Sequence, residues 1–246
     1  MNNTIIHYDL GLVALSYVIA VLGSYTALQL AIAIPQAEYR STVLGWVAGA
    51  AVALGGAIWS MHFIGMTAAS MGMPVAYDPF LTALSLVIGI VASGIGLLIV
   101  GRGEGRPANL LVGGVLTGLG VALMHYTGMA AMIMPAKISY DTTLFVLSIV
   151  IALVAATAAL WLAFNLRGNL QRFGSAIVMG AAVCGMHYTG MYALRMSHTG
   201  DAMPMTADSW FASSMGYLVF GVAAVFLLLL LFFSAWRSQR LATNEF

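Results

Sequence analysis

The hexapeptide Met-His-Tyr-Thr-Gly-Met stands at residues 124–129 and again, letter for letter, at 186–191; a near-copy, Met-His-Phe-Ile-Gly-Met, stands at 61–66. Histidine brings an imidazole nitrogen and methionine a thioether sulfur, both neutral donors for borderline and soft metal ions. One histidine in an apolar stretch is most simply a hydrogen-bonded bridge between helices. Three of them, His62, His125 and His187, spaced by 63 and 62 residues, point to a shared metal site. The alternatives are a structural hydrogen-bonded cluster, haem ligation and proton chemistry. On a helix, a residue four positions on lies on the same face, ~6 Å further along the axis. Met66, Met129 and Met191 would therefore stack a thioether layer on the imidazole layer. Met61, Met124 and Met186 lie ~100° around the helix from the histidines. They could join only from the flank, and packing is an equal reading for them. Imidazole suits zinc, copper and iron, whereas thioether sulfur selects the cuprous ion, so copper is expected ahead of zinc and of iron or haem.

The elements that hold these residues follow from composition. Of 246 residues, 61% are apolar and 7% charged, against ~45–50% and ~25% in ordinary soluble domains. So few charges cannot cover a water-facing surface, and an integral membrane protein is expected. Backbone groups in lipid must bond within their own segment, so apolar runs of ~20 residues are helices. Seven such runs fall at about 10–33, 44–68, 79–100, 108–133, 142–165, 173–195 and 211–236. The first lacks the basic flank of a cleavable signal peptide, since no Lys or Arg precedes Arg40. The single cysteine, Cys184, excludes an internal disulfide.

The expected fold class is all-α, an integral membrane bundle of seven transmembrane helices in one domain over residues 1–246. It comprises three pseudo-threefold helical-hairpin repeats, about 8–75, 76–138 and 139–206, plus a seventh helix at about 211–236. Arg40, Arg102, Arg106, Arg167, Arg172, Arg237 and Arg240 fall on one side of the spans and only Lys137 and Arg195 on the other. This asymmetry places the N-terminus outside and the C-terminus in the cytoplasm, with the Met-His motifs at the outer ends of helices 2, 4 and 6. Asp9, Asp78, Asp141 and, more weakly, Asp208 precede the odd helices and read as N-caps. Gly55, Gly118 and Gly180 stand seven before the histidines, and Gly65, Gly128 and Gly190 three after. Such small residues let membrane helices approach closely. Below the histidines the axial face is expected to continue as Ile58/Val121/Val183, then Gly55/Gly118/Gly180, then Ala51/Gly114/Ala176, an apolar plug. The outer methionines Met71, Met73, Met132, Met134, Met196, Met203 and Met205 could form a loading vestibule.

On the three Met-His motifs and their spacing, the chain resembles the MHYT domain family over essentially all of residues 8–236. The resemblance implies a seven-helix sensor module of the bacterial inner membrane. It implies a copper site formed by Met61, His62, Met66, Met124, His125, Met129, Met186, His187 and Met191 that detects O2, CO or NO. It further implies a cytoplasmic signalling output of the diguanylate cyclase or phosphodiesterase type, on this chain or on a partner protein. The first copy departs from the family pattern at Phe63 and Ile64, so no direct role is expected for Tyr126, Thr127, Tyr188 or Thr189. Rival functions fare worse against the letters. A retinal protein needs a lysine inside a helix, and a cation pump needs carboxylates in mid-membrane; this sequence has neither. A copper transporter is the alternative that the methionine-rich mouth keeps open. There is no nucleophile–base pair, phosphate loop or nucleotide site, so the expected partners are the lipid bilayer, a diatomic gas and a signalling output. Neither an enzymatic activity nor a nucleic-acid partner is expected.

Overall fold

The computed structural model describes residues 7–103, 106–165 and 168–198, the pair 210–211, and positions 219, 221–224 and 228. Among the described residues, six long helices pair as three hairpins: α1 (Leu10–Ala31) runs through a single turn, α2 (Ala33–Gln36), to the long α3 (Arg40–Ala68). α4 (Pro79–Gly101) pairs with α5 (Pro107–Ala130), and α6 (Thr142–Asn165) with α7 (Asn169–Ala193). Pro79 and Pro107 open their helices at the position where a missing amide proton is harmless. α7 starts after Gly168, whose φ of 101° suits a residue without a Cβ.

Among the described residues, five segments are long and apolar enough to cross a membrane: α1 with α2, α3, α4, α5 and α6. α7 is not among them, because Asn169, Gln171 and Arg172 begin it and His187, Tyr188 and Thr189 follow in its other half. The chain is thus read as a multi-pass membrane protein. The expected seventh helix lies mostly outside the described residues, although Val219, residues 221–224 and Leu228 are helical. Asp208, Met203, Met205, Arg167, Arg237 and Arg240 also lie outside them.

Asp9, Asp78 and Asp141 cap their helices as the sequence suggests. Asp9 accepts from the amides of Gly11 and Leu12, Asp78 from Leu81, and Asp141 from Thr143 and Leu144. The short strands around them were not legible as strands. β1 (His7–Tyr8) pairs antiparallel with β2 (Ala69–Ser70), β3 (Ala76–Tyr77) with β4 (Met132–Ile133), and β5 (Ala136–Tyr140) with β6 (Leu194–His198). β7 (Trp210–Phe211) adds to β3. The first three of these ladders each close their own hairpin at the motif end. Beside them, the amide of Asp9 donates to Ala68, that of Asp78 to Ala131 and that of Asp141 to Ala193, at 2.8–2.9 Å.

The hairpins form a closed ring, with α3 against α4, α5 against α6 and α7 against α1, while α3 reaches both α5 and α7 across the middle. Glycines set this packing, with one correction to the sequence reading. Gly55, Gly118 and Gly180 do not line the axis. A Cβ on them would strike the backbone of Gly89 and Ile90 in α4, the backbone of Leu153 in α6, and Val21 in α1. They seat the odd helix of the next hairpin. Gly114 likewise faces Thr157 of α6. The axis is lined instead along the every-fourth-residue row, by Ile58, Val121 and Val183 and then Leu54, Thr117 and Met179. A seven-residue step leaves a helix on nearly the same face, but inclined helices meet along their i±4 ridges. The inner layers therefore carry one hydroxyl, that of Thr117, and one thioether, that of Met179, and are not wholly the apolar plug that was expected.

Candidate metal centre

His62, His125 and His187 are fully buried, one on each of α3, α5 and α7. Their Nδ1 atoms lie 3.0 Å (His62–His187), 3.0 Å (His125–His62) and 3.4 Å (His187–His125) apart. The ring centroids are 4.8–5.2 Å apart and the planes nearly perpendicular, at 75–88°. Each ring thus turns Nδ1 inward, in a three-bladed propeller. The outer nitrogens, Nε2, are buried without a hydrogen-bond partner. They rest on glycine in a cycle: His62 on Gly128 of α5, His125 on Gly190 of α7, His187 on Gly65 of α3. A Cβ at any of these glycines would collide with the imidazole it carries.

Three nitrogens aimed at one point cannot satisfy one another. A neutral imidazole has one N–H and one lone pair, so a proton on one Nδ1 serves a single neighbour and the third lone pair stays unmatched. Burying an unmatched group costs about 1–3 kcal/mol. A cation at the centre would accept all three lone pairs. The spacing suits it: the three atoms lie on a circle of roughly 1.8 Å radius, close to the ~2.0–2.1 Å of an imidazole–zinc bond. The residues fit one compact ion, with no space for a macrocycle between the rings. Metal-bound histidines usually donate their second N–H to a carboxylate or carbonyl. Here the ring is held on its far side by a glycine backbone.

The six motif methionines are all buried. Met66, Met129 and Met191 lie one turn beyond the histidines. Of the flanking set, Met124 reaches Gly89 of α4, Met186 lines a cavity beneath the triad, and Met61 is enclosed in the core. Met71, Met132 and Met134 are also buried, so they close the outer end where an open vestibule was expected; Met73 and Met196 are only partly covered.

Sequence reasoning missed an aromatic collar. Phe63, Tyr126 and Tyr188 each stand edge-on to the preceding histidine, with centroids 4.7–4.8 Å apart. Each also meets a strand tyrosine of the next hairpin: Phe63 meets Tyr77, Tyr126 meets Tyr140, and Tyr188 meets Tyr8, at 5.4–5.6 Å. The Tyr126 hydroxyl bonds Ser148 at 2.6 Å and that of Tyr188 bonds Ser16 at 3.1 Å. Phe63 has no hydroxyl, and the indole N–H of Trp59 donates to the equivalent Ser85 at 3.0 Å. The expectation of no direct role for Tyr126 and Tyr188 is therefore revised: they brace the histidines and link hairpins. The signal was present, since Ser16, Ser85 and Ser148 each follow a Tyr-Asp pair by seven residues. Burial, then Tyr192 and Tyr188, pushes the Tyr8 phenol up to about 12. Burial, then Tyr126, pushes Tyr140 up to about 12 as well.

Comparison with known proteins finds a repeat of the same spacing, in four segments where the sequence reading set three hairpins. The MHYT family, described as a bacterial signalling protein N-terminal repeat, matches residues 2–45, 55–113, 118–176 and 180–243. The last three segments each contain one Met-His motif at the same distance from their start. The chain is 43% identical over 229 residues, 90% of its length, to the bifunctional diguanylate cyclase/cyclic di-GMP phosphodiesterase MucR of Pseudomonas aeruginosa, covering 33% of that protein. It is 34% identical over 251 residues to the cyclic di-GMP phosphodiesterase NbdA of the same organism, covering 97% of this chain and 31% of that one. It is 36% identical over 217 residues to the signaling protein YkoW of Bacillus subtilis, covering 82% of this chain and 26% of that one. The chain thus spans a third or less of the curated relatives it matches. No solved structure matches it. Three Met-His helices at one spacing, and a family match over nearly the whole length, make this chain a member of the MHYT family of bacterial signalling proteins.

Proposed function

We propose that the chain is a membrane sensor input that holds one metal ion, copper in our reading, among His62, His125 and His187, and passes a diatomic gas or redox signal to a cyclic di-GMP output. One observation carries the reading: three inward Nδ1 atoms from three separate hairpins lie within 3.0–3.4 Å in a closed core. Met66, Met129 and Met191 supply thioethers one turn beyond, which favours cuprous over zinc ion. When bound, copper(I) supplies a soft centre with a position for a diatomic ligand, and its oxidation favours a tetragonal nitrogen and oxygen field.

The chain's own residues would turn that event into movement. Each imidazole rests on a glycine of the neighbouring inner helix, so widening the triad pushes α3, α5 and α7 apart in turn. The collar carries the shift to the outer helices through Tyr126–Ser148, Tyr188–Ser16 and Trp59–Ser85. Such a two-state repacking is biased by whatever favours one spacing. The named activities of the relatives support a cyclic di-GMP output, on this polypeptide or a partner; this segment is read as the input and not as an enzyme. The motif end faces outward across the bacterial inner membrane, because Arg40, Arg102, Arg106 and Arg172 gather at the opposite end.

Metal analysis of the purified chain beside the triple variant His62→Ala/His125→Ala/His187→Ala tests the reading. The parent should carry metal and the variant lose it; equal content overturns the shared site. The copper-transporter reading is opposed by the Ile58, Val121 and Val183 layer beneath the triad, and robust copper flux into vesicles would restore it.

A further inference from the structure

We propose that the bundle contains a second ligand site, a dry chamber on its axis under the imidazoles, which admits a small apolar diatomic molecule from the bilayer. The chamber has a volume of about 30 Å³. Its axial wall takes two residues from each inner helix: Leu54 and Ile58 of α3, Thr117 and Val121 of α5, Met179 and Val183 of α7. Ile58, Val121 and Val183 are each four residues before a triad histidine, so the chamber's roof is the floor of the metal centre, ~6 Å away along the helices.

Chemistry selects the occupant. A cavity needs about 10–15 Å³ to admit one water-sized body, and a buried water needs two to four polar partners. The axial wall offers one polar side chain, Thr117, whose hydroxyl already donates to the Ala92 carbonyl at 3.3 Å. Water gains little there, and an uncharged two-atom molecule loses nothing. The approach is lateral. Above the triad Met66, Met129, Met191, Met71, Met132 and Met134 are buried and the strand ladders cross. Among the described residues, the partly exposed side of the lining is Ala155, Ala156 and Ala159 of α6, with Val183 at its junction with the axial wall. Apolar molecules gather in hydrocarbon over water, so the bilayer side is both the richer source and the thinner barrier.

The physiological occupant rests on the gas-sensing reading above, whereas the chamber itself can be tested without any metal. In xenon-pressurised crystals of the metal-free chain, a xenon atom should lie between Ile58, Val121 and Val183. Ala156→Leu should remove it and Leu54→Ala should strengthen it. No xenon in the parent, or an unchanged peak in Ala156→Leu, overturns the chamber. In the copper-loaded chain, Ala156→Leu should slow carbon monoxide association several-fold at unchanged metal content; an unchanged rate overturns the lateral route. A parent that takes up no copper defeats the sensor reading alone, and the xenon result still decides the chamber.

Discussion

Gly65, Gly128 and Gly190 hold the histidines by what they lack. Each offers bare backbone to the Nε2 edge of an imidazole from another hairpin, in place of the hydrogen-bonded partner that usually orients a metal-ligating histidine. Gly128→Ala should therefore turn the His62 ring away from the centre. Metal affinity should fall about 10- to 100-fold, the range seen when an orienting partner is lost, with helix content retained. Metal titration followed by circular dichroism measures both, and unchanged affinity would refute the seat. At the same scale, Phe63 shows how a repeat tolerates a lost hydroxyl. Trp59 stands where the other copies have Ala122 and Cys184, and its indole reaches the serine that a tyrosine would otherwise bond.

Among the elements, the strand ladders matter most, because they tie each inner helix to the outer helix of its own hairpin. Tyr8 and Tyr140 belong to them, and both phenols are raised to about 12. Between the ordinary ~10 and that value, the folded chain keeps protons that the unfolded chain has released, so stability falls as pH rises. Below pH ~10 both states are protonated and the contribution is intact. Thermal melts should drop between pH 10 and about 12, and the Tyr8→Phe/Tyr140→Phe pair should flatten that drop. A drop of equal size in the pair would show that the phenols do not carry it.

At the largest scale, the described residues form a ring of three hairpins with the histidine triad toward one end. Charge is segregated along it: Lys137 and Arg195 lie on the β5–β6 ladder, and Arg40, Arg102, Arg106 and Arg172 at the far end. Sidedness can be read with thiols, because Cys184 is the single cysteine and is buried. In a Cys184→Ala background, Lys137→Cys should react with an impermeant maleimide on intact cells, and Glu38→Cys only after permeabilisation; both positions are exposed. The opposite pattern would invert the bundle and place the triad on the cytoplasmic side.

Much of this was legible in the letters, because the controlling terms are local or periodic. Apolar runs set the helices, aspartates set where the odd helices begin, and the 63- and 62-residue spacing brought three histidines to one depth. Which way each ring turns was not legible. That depends on the crossing of α3, α5 and α7, which sends the Gly55, Gly118 and Gly180 face to the next hairpin and Gly65, Gly128 and Gly190 to the imidazoles. The repeated serines were there to be read, but not the rings they bond, and periodicity could show neither the ladders nor the axial chamber, since each joins residues that are distant in the chain. Sequence determined the helices and the candidate donors; only packing decided that three nitrogens would share one point.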